Sequence, residues 1–327
     1  MSSSGDESKK IREFVWVAQP VGRPVYAVLL VYEETDAINA VGQIHRMTSE
    51  PTGDGVDIVG EASLNTNDGL ANIWASPEGN LWVGSTSGNV WTTADVKWDT
   101  SKIPDIEWSE MDTSYKWKGM ALPRSREKTR YNVAVMAGSS DRDVYAATFE
   151  GDILRWDGMK WSVSYAENTK PIQRMHGTGP DNLWAVGRDS LVLHYDGHHW
   201  HSVPLPGDEG DENLTGVWAL SKKEVYICST AGAVFHGSQH GLERLGDYKH
   251  EFYGITEYKK DMLLAAGEDG VCTLQGNKIK VLNGKFAAVG VYRLPERLAF
   301  AMADEGDEPT FIVYDPSSKP VWCGWSL

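Results

Sequence analysis

Two identical runs, Asp-Glu-Gly-Asp-Glu at 208–212 and 304–308, are the densest groups of carboxylates in the sequence. They supply Asp208, Glu209, Asp211, Glu212, Asp304, Glu305, Asp307 and Glu308. Shorter acidic stretches add Glu150 with Asp152, Asp189, and Glu268 with Asp269. Carboxylates in loops can ligate calcium or attract a cationic partner. Calcium needs about six to eight oxygens converging on one point, and neither run has the EF-hand spacing. Attraction of a basic protein is therefore the favoured chemistry.

A basic stretch stands against them. Residues 113–130 carry Lys116, Lys118, Arg124, Arg126, Lys128 and Arg130 against Glu127 alone. No strand pattern is evident there, so the stretch reads as an insertion: a loop crossing the rim, or a contact arm. In the second case Trp117 and Met120 serve as apolar anchors beside Arg124 and Arg126, since Trp and Arg are enriched at interface hot spots. His194, His198, His199 and His201 form a histidine tract without a fixed companion ligand, so no metal is expected. The sequence has no Gly-x-Ser-x-Gly elbow, no Gly-Lys-Ser/Thr phosphate loop and no His-Glu-x-x-His helix. A non-enzymatic protein without a cofactor is the expectation.

Composition narrows the partner. The 327 residues include 31 Lys+Arg and 46 Asp+Glu, a formal charge of −15. Nucleic-acid binders show the opposite balance, because phosphate neutralisation supplies much of their affinity. An acidic field instead speeds encounter with basic proteins. No apolar run approaches the roughly 18 residues of a membrane span. Three isolated cysteines exclude a disulfide framework, and the polar first ten residues read as a disordered tail rather than a secretion signal. The expectation is a cytoplasmic monomer.

What must position these groups is a repeat. Trp82, Tyr145, Trp184, Tyr226, Leu264 and Phe300 are each the large residue of a short β-like run. Nine residues before them stand Ile73, Met136, Met175, Val217, Ile255 and Val291. Six after them stand Gly88, Gly151, Ser190, Gly232, Gly270 and Gly306. Trp98, Trp161 and Trp200 follow the first three by sixteen. Anchor spacings of 63, 39, 42, 38 and 36 fit the roughly 40–50 residues of a propeller blade, with one insertion. Turn-forming stretches at 77–80, 139–143, 179–182 and 221–224 divide apolar runs into antiparallel strands. Four candidate strands at 12–18, 25–32, 42–47 and 56–59 make a divergent first blade. The chain thus reads as all-β, a single β-propeller over residues 11–327. Seven four-stranded blades are expected, with six or eight open because closure can borrow a terminal strand. The aromatic series is expected to wedge between blades.

Ile73 to Gly88 resembles the repeats of propellers in bacterial two-component sensors. Gly177 to Gly187 with Leu193 to Trp200 resembles a repeat common in bacterial propellers of varied role. The resemblance implies a propeller of bacterial source, while sensor activity does not carry over, since no kinase region is present. It leads to an expected protein-binding propeller whose acidic face engages a basic partner, in its sharpest form an immunity protein against a basic toxin, otherwise a complex scaffold. Two alternatives remain open. A carbohydrate-binding propeller predicts exposed loop tryptophans, and a channel enzyme predicts an acid/base pair with Arg or His side chains on the axis.

Overall fold

The repeat offsets become strand positions in a computed structural model, which describes residues 10–34, 36–52, 55–98, 103, 106–111, 116–125, 129–167, 169–207, 211–302 and 310–326. Seven antiparallel sheets form, all meandering outward from an innermost strand. The innermost strands are Lys10–Ala18, Leu70–Ala75, Val133–Ser140, Ile172–Gly179, Leu214–Ser221, Gly254–Tyr258 and Ala288–Arg293. Each packs beside the next, and the last meets the first. This is a seven-bladed β-propeller.

The anchors sit on the second strand of blades 2 to 7, opposite innermost-strand residues: Trp74 faces Trp82, Ala137 faces Tyr145, and Trp218 faces Tyr226. The small residue six places later turns the chain into the third strand. Gly88, Gly151, Gly232 and Gly270 hold φ of 75°, 92°, 86° and 76°, a left-handed conformation in which glycine has no Cβ penalty. At Gly232 a Cβ would lie 2.1 Å from the Tyr248 carbonyl oxygen. Blade 4 uses Ser190 at φ 57° instead. Gly306 lies outside the described residues.

A four-stranded sheet cannot bury both faces alone, so the core divides into seven clusters, each spanning a pair of neighbouring blades. Trp82 is fully buried between blades 2 and 3, against Trp156 at 6.4 Å and Trp161 at 6.3 Å. Its indole N–H donates to Asp141 Oδ1 at 2.8 Å, and the Trp156 indole donates to the Asp141 carbonyl at 3.1 Å. Asp141 thereby holds two blades through two indoles. The wedge role expected for the aromatics is what these rings do.

Closure borrows no strand. Blade 7 ends with its own Trp322–Ser326, and blade 1 begins at the axis. The seam between them is side-chain packing. Phe14 stacks on Phe311 with centroids 4.7 Å apart, and Tyr292 Oη donates to the Val15 carbonyl at 2.8 Å.

Two expectations about the insertion need correction. The excursion lies between the third strand of blade 2, Asn89–Thr92, and its fourth, Lys118–Ala121, so part of 113–130 is an ordinary blade strand. The excursion also builds Trp108–Glu110, which pairs with the outer strand Gly55–Thr66 and gives blade 1 a fifth strand. Trp117 does not reach outward. It is 2% exposed, packs in the core between blades 1 and 2, and donates its indole N–H to Ser63 Oγ at 3.2 Å. The sequence pattern missed this because the burying partner, Ser63, lies 54 residues away.

Candidate functional site

The outward meander fixes which loops share a face. Loops between second and third strands, and connections between blades, fall on the side where innermost strands begin. Glu150 and Asp152 occupy such a loop in blade 3, Asp189 in blade 4, and Glu268 with Asp269 in blade 6. Asp211 and Glu212 lie in the connection from blade 4 to blade 5. Topology thus brings Glu150, Asp152, Asp189, Asp211, Glu212, Glu268 and Asp269 to one face, while Glu78, Asp141, Asp181 and Glu296 lie in turns of the other. Asp208, Glu209, Asp304, Glu305, Asp307, Glu308 and Arg126 lie outside the described residues.

Several of these carboxylates already have work within the fold. Glu150 accepts the Asn132 backbone N–H at 3.1 Å, and Asp152 accepts the Tyr131 hydroxyl at 2.8 Å. Asp269 meets His250 at 2.7 Å. Glu212 is buried and pairs with Arg244 at 2.6 Å, so it is a structural ion pair and not a surface contact. Arg244 also binds Asp247 at 2.5 Å. Glu150, Asp189, Asp211, Glu268 and Asp269 remain exposed, with Arg124 exposed in the connection to blade 3. Lys170, Arg188, Lys249 and Lys285 share the face, and Lys170 donates to the Asp189 carbonyl at 2.7 Å.

The histidine tract is structural. His194 is buried beside Trp184 and meets Asn182 Oδ1 at 3.0 Å, and His201 meets Asp196 at 2.8 Å in an exposed hairpin. Among the described residues no group of three or more His, Cys, Asp or Glu could hold a metal. Nor is any of the 14 tryptophans exposed, so the stacking platforms that a lectin reading requires are missing from the described surface.

The axis holds groups that the repeat pattern did not single out as functional. The innermost strands of all seven blades enclose a cavity of about 320 Å³. All six residues nine before an anchor, Ile73, Met136, Met175, Val217, Ile255 and Val291, line it. Their neighbours Trp16, Trp74, Trp218 and Tyr292 add aromatic walls, and Arg174, His176 and Arg293 add polar groups. No Asp or Glu lies in this lining. Arg174 stacks over Trp16 at 4.6 Å and donates one N–H to the Gln173 carbonyl at 2.9 Å. Among the described residues it has no carboxylate partner, and burial pulls its pKa below the usual arginine value. His176 stacks on Trp218 at 3.8 Å, and its Nδ1 accepts the Ala219 backbone N–H at 3.0 Å. Burial lowers its pKa to about 4, so it is neutral at pH 7 with its proton on Nε2. The signal that could have found this site was the pair Arg174 and His176, flanking Met175 on a strand whose other repeats carry no Arg, Lys, His, Asp or Glu there.

Fold and axis together define a seven-bladed propeller with a lined central cavity. No protein-family profile matches the chain, and no curated protein sequence does. Solved structures match the fold. Virginiamycin B lyase from Staphylococcus aureus, in a catalytically inactive form with quinupristin, is 12% identical with a TM-score of 0.63, over 89% of this chain and 92% of that one. A streptogramin B lyase is 10% identical at 0.61, over 90% and 95%. Sqt1 from Saccharomyces cerevisiae is 9% identical at 0.56, over 95% and 84%. At such identities the likeness is one of fold.

Proposed function

We propose that the protein is a non-enzymatic binding propeller whose acidic loop face engages a basic protein. The observation that supports this reading most is the convergence of exposed Glu150, Asp189, Asp211, Glu268 and Asp269 on one face, in a chain of formal charge −15. Such a face accelerates capture of a cationic partner. The ring is rigid, because each blade buries its faces against two others. Two roles suit that chemistry: immunity against a basic toxin in a bacterial cytoplasm, and a scaffold for a basic subunit. The same chain with Glu150, Asp189, Asp211 and Glu268 changed to Lys tests the reading. Immobilised wild-type protein should retain a basic protein at low salt and release it as screening rises. The fourfold variant should capture that protein at least tenfold more slowly. Equal association rates for the two, or retention that salt does not weaken, would remove the acidic face from the account.

A further inference from the structure

Arg174 lines the axial cavity without a carboxylate partner among the described residues, in a chain where carboxylates outnumber cations. Elsewhere Arg155 pairs with Asp143 at 2.8 Å and Arg244 with Glu212 at 2.6 Å. Arg174 instead faces a space ringed by Trp16, Trp74, Trp218 and Tyr292. A half-buried guanidinium without a carboxylate partner is stabilised by an anion, and a carboxylate matches its planar fork with two parallel hydrogen bonds. With one N–H committed to the Gln173 carbonyl and the plane held against Trp16, the remaining N–H groups form such a fork.

We propose that this cavity binds a small aromatic carboxylate, with Arg174 gripping the carboxylate, His176 donating from Nε2, and the aromatic walls holding the ring. The charge balance selects a monoanion. Arg174 supplies one positive charge, Arg293 turns its guanidinium to the Leu294 carbonyl and the Tyr258 ring, and neutral His176 supplies a hydrogen bond without charge, so a dianionic phosphate would stay half uncompensated. Size admits a ring with room to spare: about 320 Å³ is roughly twice the about 150 Å³ that takes one benzene ring, so a substituted ring enters with water beside it. Gly138, Gly177, Gly216 and Gly254 all border it. This site stands apart from the acidic loop face, and its test is separate.

Calorimetric titration of the full chain with benzoate, benzamide and inorganic phosphate decides it. Benzoate should bind saturably at one site, with benzamide and phosphate each at least tenfold weaker. Arg174→Met should weaken benzoate at least tenfold while leaving Tm equal or higher, because it removes a buried charge without removing much volume. Arg174→Lys should fall between, since a point charge lacks the fork. Absence of saturable benzoate binding, equal binding of benzamide or phosphate, or wild-type affinity in Arg174→Met would each overturn the proposal. The benzamide and phosphate comparisons need only the wild-type chain, so they decide it even if a variant fails to fold.

Discussion

Replacing Phe311 by Ala tests how the ring is closed. Phe311 is 2% exposed and stacks on Phe14 across the seam. Removing a buried phenyl ring costs about 3–5 kcal/mol, set by how far the site collapses. For a chain of this size that lowers Tm by roughly 5–10 °C. Phe235→Ala in the core between blades 4 and 5 removes an equal volume from a fully buried site and is the control. The two should differ in where they loosen the fold. Blades 4 and 5 are also joined by the chain itself, whereas among the described residues no strand or connection crosses from blade 7 to blade 1. Amide hydrogen exchange should therefore accelerate in Lys10–Ala18 and Thr310–Tyr314 for Phe311→Ala, and leave those strands unchanged for Phe235→Ala. A double-mutant cycle with Phe14→Ala should return a coupling of about 0.5–1.5 kcal/mol for the stacked pair. Zero coupling, or exchange that rises evenly round the ring, would refute closure by side chains alone.

Asp141→Ala should cost about 1–3 kcal/mol, read by denaturant unfolding, because it strands the buried Trp82 indole N–H and the Asn80 amide that its carboxylate accepts. Asp141→Asn should recover part of that loss by keeping one acceptor oxygen. Gly232→Ala should destabilise by at least about 1 kcal/mol, since its φ of 86° is left-handed and the new methyl meets the Tyr248 carbonyl. The His176 pKa of about 4 against 6.5 when unfolded carries a pH dependence. The unfolded chain binds this proton first, so stability is full above pH 6.5 and falls as pH drops toward 4, by about 3 kcal/mol. His176→Gln should flatten that part of the curve in thermal melts across pH 4–7; an unchanged slope would assign the effect elsewhere.

The blades were legible because their constraints are local and recur. An anchor ring, an apolar residue nine before it and a small residue six after it are all set within one hairpin or turn, so spacing alone exposes them. Blade 1 was recognisable from its four apolar runs, although its third and fourth strands, Asp36–Thr52 and Gly55–Thr66, extend well beyond the predicted 42–47 and 56–59. Trp117 was misjudged for the opposite reason. Its burial depends on a partner in another blade, which no local period encodes. Glu212 illustrates the same limit: its run looks like solvated acid, yet Arg244, 32 residues on, draws it inside. The axial cavity was hidden because its lining is assembled two to four residues at a time from seven blades, with Arg174 conspicuous only once their innermost strands face one another.

The fifth strand on blade 1 has a mechanical consequence. Blade 1 shares a side-chain joint with blade 7 on one flank, and on its other flank Trp108–Glu110 stitches it to a segment of blade 2 by main-chain hydrogen bonds at Leu64, Asn65 and Thr66. Tension on the N-terminus therefore loads a rivet as well as a seam. A pulled molecule should part first where blade 7 meets blade 1, and release the first two blades together rather than singly.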